Sequence, residues 1–239
     1  MSLAPIAQKK QSILRKELLK NTSQCLITGW NNPRECECAH IVPKSYGYNI
    51  KFPDVNNVSN CCLLSNGLHA LFDDMQWTLD IYYFLNQGVS DETSFSAMIV
   101  STDTPSKRSI LNNYKKTVIT VPLSKYASFM MHYYAYHLYN YTNNNNLGEI
   151  YKKLWNSGIY QEVKACKTTS HLKKLLLKMR ANANALQPVT CILGKSRNKY
   201  RVLWEYYDYS YVTKEPLENI EYTIAYNDYE HLIDPNYGR

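Results

Sequence analysis

The stretch CECAHIVPKSYGYNIKFPDVNNVSNCCLLSNGLHALFDD, from Cys36 to Asp74, decides how the centre of this chain folds. Its opening residues alternate as a strand does and stop at Pro43. The run NCCLLS is typical of a returning strand or a turn, and NGLHALFDD begins a helix. In that helix His69 and Asp73 are four residues apart, so they share one face. A hairpin packed on this helix would gather four polar side chains around one point: His40, Glu37, His69 and Asp73.

The rest of the chain alternates between helical and extended patterns. An amphipathic helix is predicted over residues 5–20, and a strand within NTSQCLITGW. Three β-rich runs, WTLDIYYFL, SFSAMIV and KTVITVP, come before a helix in LSKYASFMMHYYAYHLYNYT. The segments LGEIYKKLWNSGIYQEV and TTSHLKKLLLKMRANANAL each predict one more helix. From Val189 onward the pattern predicts a small antiparallel sheet.

Short motifs around the quoted stretch complete a longer pattern. They are CLITG from Cys25, ECAHIVP from Glu37, then Asn60, LL from Leu63 and LHALFD from Leu68. Their order resembles the HNH nuclease motif of the ββα-metal type, in the variant that carries AHI at the catalytic histidine. The strands predicted after the motif extend this resemblance to roughly residues 22–140.

The resemblance implies a role for three polar residues of the motif. Phosphodiester hydrolysis needs a base that deprotonates water and a cation that stabilises charge on the phosphate and the leaving oxygen. By resemblance His40 is the general base, and Asn60 holds the loop between the strands so that the His40 ring is oriented. His69 is the metal ligand that the family implies. The alternative is that both histidines are structural and Asn60 is a turn residue.

The remaining metal ligands are open at this point. Ala39 stands where relatives often have an acidic or histidine ligand. Glu37 and Asp73 are the candidates to replace it, with oxygen ligands suited to Mg²⁺ or Mn²⁺. Alternatively, Glu37 is an exposed strand residue and Asp73 caps or solvates the helix. A structural zinc, which some relatives hold with two CxxC pairs, is disfavoured because the spacings here are CxC and CC.

The charge of the chain favours nucleic acid as a partner. There are 27 Lys+Arg against 20 Asp+Glu, a net charge of +7. Every charged residue between Val163 and Trp204 is basic, and this run includes one leucine-faced helix with a lysine-rich opposite side. An ordinary solvated face is the alternative. The residues predicted to contact DNA are Lys44, Lys173, Lys174, Lys178 and Arg180.

The end of the chain resembles a second family, the chromodomains. The residues that carry this resemblance are Tyr200, Val202, Trp204, Tyr207, Glu215, Pro216, Asn219 and Ile220. The resemblance implies a small antiparallel barrel in which Trp204 and Tyr207 would form two walls of an aromatic cage for a methylated ammonium. A third aromatic residue is missing and Lys214 stands where the family has Trp, so methyl-lysine binding is not expected. The acidic residues of this module suit a basic protein tail, and a purely stabilising β module is the alternative.

Apolar runs and cysteine spacing indicate the cellular compartment of the protein. No apolar run is long enough to span a bilayer, and the N-terminus lacks the hydrophobic core of a signal peptide. The 7 cysteines do not have the spacing of a disulfide framework. We therefore expect an intracellular protein of the cytoplasm or nucleus, with reduced thiols and no membrane partner, as a monomer or homodimer.

These patterns together predict an α+β protein. Its parts are an HNH nuclease domain over 1–142 with a ββα-metal core, a helical basic connector over 143–187, and a chromo-like β barrel over 188–239. The predicted function is metal-dependent hydrolysis of DNA, with the C-terminal module used for targeting. The alternatives are a catalytically inactive adaptor that binds nucleic acid or chromatin, and a structural interaction protein that uses some of its 22 tyrosines.

Overall fold

The computed structural model describes residues 11–87, 91–101, 110–141, 146–156, 159–181, 189–204, 212–221 and 225–226. The helices are α1 Gln11–Leu19, α2 Lys44–Asn49, α3 Asn66–Asp73, α4 Tyr126–Tyr141, α5 Leu147–Asn156, α6 Ile159–Ala165 and α7 Thr169–Ala181. The strands are β1 Cys36–His40, β2 Cys61–Ser65, β3 Trp77–Asp80, β4 Ser94–Ser101, β5 Val118–Pro122, β6 Val189–Ser196, β7 Lys199–Trp204 and β8 Val212–Pro216. None of the described helices is long and apolar enough to cross a membrane.

Strands β1 and β2 form the predicted hairpin, and α3 follows β2 directly. The two strands are antiparallel, with His40 opposite Cys61 and Glu37 opposite Leu64. Helix α1 covers the free edge of β1, where Gln11 and Arg15 donate hydrogen bonds to carbonyl oxygens of the strand. Covering an edge in this way satisfies its backbone groups and blocks further strand pairing.

Strands β3, β4 and β5 form a second antiparallel sheet, in that order. Residues of β4 alternate between buried and half-buried, as a strand with one face on the core does. Helix α4 lies at the centre of the protein, and its residues from Tyr126 to Leu138 are buried on all sides. A helix that is buried all round needs apolar and aromatic residues on every face, which explains the run of tyrosine, phenylalanine and methionine in its sequence.

Helices α5, α6 and α7 contribute to the same hydrophobic core, which extends from Leu14 to Leu176. A polar contact adds to this packing, because the carboxylate of Asp54 is buried and accepts hydrogen bonds from Tyr160 and Lys164 of α6. The helices that follow residue 142 therefore share the core of the β1–β2–α3 unit.

Strands β6, β7 and β8 form a third antiparallel sheet with its own small core. That core contains Ile192, Tyr200, Val202, Ile220 and Ala225. The predicted barrel is not confirmed, because the three strands lie in the open order β6–β7–β8 and the described residues of this region form no closed barrel. The two residues of the predicted aromatic cage lie outside this description: Trp204 is described at the backbone alone, and Tyr207 is not among the described residues.

The α+β class and the antiparallel sheets are confirmed, and two local predictions are wrong. The strand expected in NTSQCLITGW is a turn, because Gly29 has a φ of 65° and the Cys25 amide donates back to the Trp30 carbonyl. Positive φ favours glycine and reverses the chain. The single helix expected from Leu147 is two helices, α5 and α6.

Candidate active site

His40 lies at the end of β1, where the chain leaves the hairpin. The segment that follows it is fixed by Asn60, which immediately precedes β2. The Ile41 amide donates to the Asn60 backbone carbonyl at 2.8 Å. The Val42 amide donates to Asn60 Oδ1 at 2.9 Å, and Asn60 Nδ2 donates to the Val42 carbonyl at 3.0 Å. Asn60 is completely buried, so these hydrogen bonds determine the direction in which the chain leaves His40.

The His40 side chain is almost enclosed but keeps one free nitrogen. It is 8% exposed, and its Nε2 is buried without a hydrogen-bond partner among the described residues. The pKa of His40 is lowered to about 4, mainly by burial and to a smaller extent by the positive charge of Lys44 and by the neighbouring His69. The imidazole is therefore neutral at neutral pH, the form in which one ring nitrogen carries a lone pair that can accept a proton.

His69, Glu37 and Asp73 form one cluster across β1 and α3. His69 Nδ1 lies 2.8 Å from a Glu37 carboxylate oxygen, and His69 Nε2 lies 3.3 Å from a carboxylate oxygen of Asp73. The His69 side chain is 15% exposed, whereas both carboxylates are about half exposed. The structure thus brings together the three side chains that the sequence predicted as metal ligands.

Negative charge accumulates around this imidazole. Burial raises the pKa of Asp73, and the nearby carboxylates of Asp74 and Glu37 raise it further, while His69 opposes the shift. Each of these acids makes ionisation of Asp73 more costly. A cation bound beside Asp73 would relieve this repulsion.

The donor set fits a divalent cation with two protein ligands. Glu37 and Asp73 contact opposite nitrogens of His69, so only one of these carboxylates can share an ion with the ring. The described residues contain no group of three or more His, Cys, Asp or Glu side chains arranged to hold a metal ion. Mg²⁺ commonly binds few carboxylates and keeps several waters. The second carboxylate would then orient the ring through its other nitrogen, as outer partners of metal-binding histidines do.

Helix α3 is held against the core by its apolar face. The Phe72 ring stacks on His132 of α4, with ring centroids 3.8 Å apart. The Trp77 indole donates to the Leu68 carbonyl at 3.0 Å. These contacts use Leu68 and Phe72, the buried residues of the helix, and leave the side chains of the polar cluster free of them.

Lys125 was not predicted from the sequence, although it contacts the turn that contains Asn60. It is 9% exposed, and its Nζ donates to the carbonyl oxygens of Val58 and Cys61. Lys125 lies between β5 and α4, 65 residues after Asn60 in the chain. A lysine just before a helix is usually exposed, so no local signal in the sequence predicts that this one is buried.

The predicted DNA contacts lie on two different elements. Lys44 begins α2 and is close enough to His40 to affect its pKa. On α7, Lys174 is exposed, whereas Lys173 donates to the Gln87 carbonyl at 2.9 Å. The side chains of Lys178 and Arg180 lie outside the described residues. The hydrogen bonds described for α7 connect it to β4 and neighbouring segments rather than to His40 or His69.

Part of the sequence that forms this site is similar to a known protein family. Residues 25–80 match the model of a family described as HNH endonuclease. The chain matches no curated protein and no solved structure. The match includes His40, Asn60 and His69, and it confirms the resemblance to HNH nucleases for this part of the chain. Residues 25–80 are therefore similar to HNH endonucleases, which indicates nuclease activity and a hydrolase role.

Proposed function

We propose that this protein is a metal-dependent DNA endonuclease in which His40 is the general base. The observation that carries the proposal is the unpartnered Nε2 of a buried, neutral histidine beside the Glu37–His69–Asp73 cluster, within the segment similar to HNH endonucleases. A neutral imidazole with one free nitrogen is what proton abstraction from water requires. The proposal includes the AHI variant of the motif, in which Ala39 supplies no ligand.

The roles of the residues follow from their charges and contacts. His40 Nε2 accepts the proton of a water molecule as that water attacks the phosphorus atom, and the bond from phosphorus to the leaving oxygen breaks. Lys44 attracts the phosphate. The bound phosphate offsets the effect of Lys44 on His40, so the pKa of His40 rises and the imidazole becomes a stronger base. Asn60 keeps the ring in the orientation that this transfer needs.

His69 and one of its two carboxylate neighbours would hold the cation, Mg²⁺ or Mn²⁺. When bound, a divalent cation stabilises the charge that develops on the phosphate and on the leaving oxygen. The other carboxylate keeps the His69 ring in place through the second ring nitrogen.

The remaining parts of the chain would position the DNA and target the enzyme. The exposed Lys174, together with Lys173, Lys178 and Arg180, is proposed to contact the DNA backbone, and such contacts make binding fall with increasing salt. The C-terminal module is proposed to be a chromo-like targeting module for a basic protein tail, since the residues from Glu205 to the end include eight acids against the basic Lys214 and Arg239. The nuclease domain over 1–142, the connector over 143–187 and the module over 188–239 remain proposals, as does a monomer or homodimer.

One observation favours a second candidate, an inactive adaptor that binds nucleic acid. Ala39 is fully buried and provides no ligand, and the described residues hold no group of three metal-binding side chains. A nuclease fold that had lost its metal would keep the basic surface and bind DNA without cutting it.

Supercoiled-plasmid cleavage separates the two candidates. Purified protein is incubated with plasmid in Mg²⁺, in Mn²⁺ and in EDTA, beside His40→Ala and the control His171→Ala, which removes an exposed histidine of α7. The endonuclease proposal expects nicking that needs metal, survives in His171→Ala and falls by about 10²- to 10⁴-fold in His40→Ala. Binding of plasmid without nicking by folded, metal-supplied wild type would overturn it in favour of the adaptor.

A further inference from the structure

We propose that Lys125 is a positioning residue for the candidate base: its buried ammonium holds the turn from which Asn60 orients the chain at His40. Lys125 lies outside residues 25–80, the part that is similar to HNH endonucleases. The inference rests on the proposed function. It adds Lys125, the residue just before α4, to the residues that position His40.

The ammonium contacts the backbone on both sides of Asn60. Lys125 Nζ donates to the Val58 carbonyl at 2.5 Å and also to the Cys61 carbonyl. Val58 begins the short 3₁₀ turn Val58–Asn60, and Cys61 is the first residue of β2. Backbone carbonyls that are buried in an irregular turn need a donor, and the lysine satisfies two of them with one group.

Two sets of hydrogen bonds connect Lys125 to the segment that follows His40. The first set joins Lys125 to the backbone that flanks Asn60, and the second joins Asn60 to Ile41 and Val42. His40 immediately precedes that segment. A displacement of the turn would therefore shift the end of β1, and small displacements of a catalytic group cost much of its effectiveness.

Packing alone does not account for a lysine at this position. The structure gives Lys125 no carboxylate partner among the described residues, and its surroundings include the thiols of Cys38, Cys61 and Cys62. Burial lowers the pKa of Lys125, which reflects the cost of a charge in this environment. A methionine would fill similar space without that cost. What the lysine adds is a set of donors directed at the turn.

The first test is kinetic and compares Lys125→Met with Lys152→Met. The control removes a lysine whose side chain is 60% exposed. We expect kcat for nicking to fall by about 10- to 100-fold in Lys125→Met, with little change in KM, and to stay unchanged in Lys152→Met. In an Asn60→Ala background, Lys125→Met should cause little further loss, because both residues act on the same segment. Independent, multiplicative losses would overturn the inference.

The second test does not depend on nuclease activity. Hydrogen exchange of the Ile41 and Val42 amides, both of which bond to Asn60, is measured by NMR in wild type and variants. The Ile99 amide, which bonds to Thr117 in another sheet, is the internal reference. We expect Ile41 and Val42 to exchange at least about 10-fold faster in Lys125→Met relative to Ile99, and to be unchanged in Lys152→Met.

Lys125→Leu, which likewise fills the space without a donor, carries the same comparison if Lys125→Met does not fold. Equal protection of Ile41 and Val42 in wild type and in the Lys125 variants would overturn the inference. A wild type that does not nick DNA would remove the proposed function, while the exchange measurement would still decide whether Lys125 holds this segment.

Discussion

Asn60 and Val42 are joined by hydrogen bonds in both directions. The Val42 amide donates to Asn60 Oδ1 at 2.9 Å, and Asn60 Nδ2 donates to the Val42 carbonyl at 3.0 Å. A side-chain amide has one acceptor and one donor group in the same plane, so it pairs with a peptide unit as another backbone segment would. No other side chain of this size except glutamine offers that combination, which makes the residue type at position 60 a specific requirement.

Asn60→Asp tests that requirement. The substitution keeps the acceptor for Val42 but replaces the donor with a carboxylate oxygen that faces the Val42 carbonyl. Because Asn60 is completely buried, we expect a loss of about 2 to 4 kcal/mol in the free energy of unfolding, from a lost hydrogen bond and a buried charge. Urea denaturation at pH 7 measures it.

Asn57→Asp is the matched control for this prediction. Asn57 lies on the same turn but is exposed, and its Oδ1 accepts a hydrogen bond from the Ser59 amide at 3.0 Å. Aspartate can accept that bond equally well, so the variant should stay within about 0.5 kcal/mol of wild type. Equal losses in the two variants would contradict the importance we give to the Asn60 donor.

The pH dependence of nicking should reflect the low pKa of His40, which is about 4. A base acts in its neutral form, so the contribution of His40 should stay constant from pH 8 to pH 6 and fall only as the pH approaches 4. Lys44 is one cause of this low pKa in the free enzyme, so Lys44→Met should raise it and move the fall in kcat/KM to higher pH. Profiles of kcat/KM at fixed Mg²⁺, which report the free enzyme, measure the shift. An unchanged or lowered midpoint in Lys44→Met would be inconsistent with this account.

Binding of the cation can be measured without DNA. We expect Mn²⁺ to raise the melting temperature of the wild type, because a ligand that binds the folded state stabilises it, and EDTA to reverse this. His69→Ala should abolish the rise. Of Glu37→Gln and Asp73→Asn, the variant that removes the direct ligand should abolish it, and the other should weaken affinity by about 10- to 100-fold.

Glu149→Gln removes a carboxylate that is 53% exposed on α5 and serves as the charge-matched control. It should keep the full response to Mn²⁺. An unchanged melting temperature of the wild type in millimolar Mn²⁺ would count against a metal site at His69.

Buried histidines should make the fold sensitive to acid. Burial lowers the pKa of His132 and of His137 to about 3, well below the ordinary value of 6.5. Below pH 6.5 the unfolded chain takes up protons that the folded chain does not, so stability falls as the pH drops from 6.5 toward 3. Each histidine should cost about 2 kcal/mol between pH 6.5 and pH 5.

His132→Gln removes one of these titrating groups. The difference in unfolding free energy between pH 7 and pH 5 should then be smaller than in the wild type by about 2 kcal/mol. Phe129→Leu, another substitution in α4, controls for general destabilisation and should leave the pH difference unchanged. The same pH difference in His132→Gln and wild type would refute the prediction.

Sequence patterns predicted the hairpin, α3 and the grouping of Glu37, His69 and Asp73, because their periodicities and short spacings act locally. The turn at Gly29 was missed, since its alternating side chains resemble a strand and only the positive φ shows the reversal. Contacts between distant residues were also missed. Asp54 with Lys164, and Lys125 with the turn at Asn60, join segments that are far apart in the chain.

The α+β class, the order of the motif and the identity of its polar residues could be predicted from sequence alone, because they depend on residue type and short-range spacing. Only the packing of β1 against α3 places Glu37 and Asp73 at opposite nitrogens of His69, which would limit the protein ligands of the proposed ion to two of the three. Tertiary packing likewise buries His40, which lowers its pKa, and brings Lys125 into contact with the turn that contains Asn60. Burial, desolvation and hydrogen-bond direction arise only when separate segments pack together.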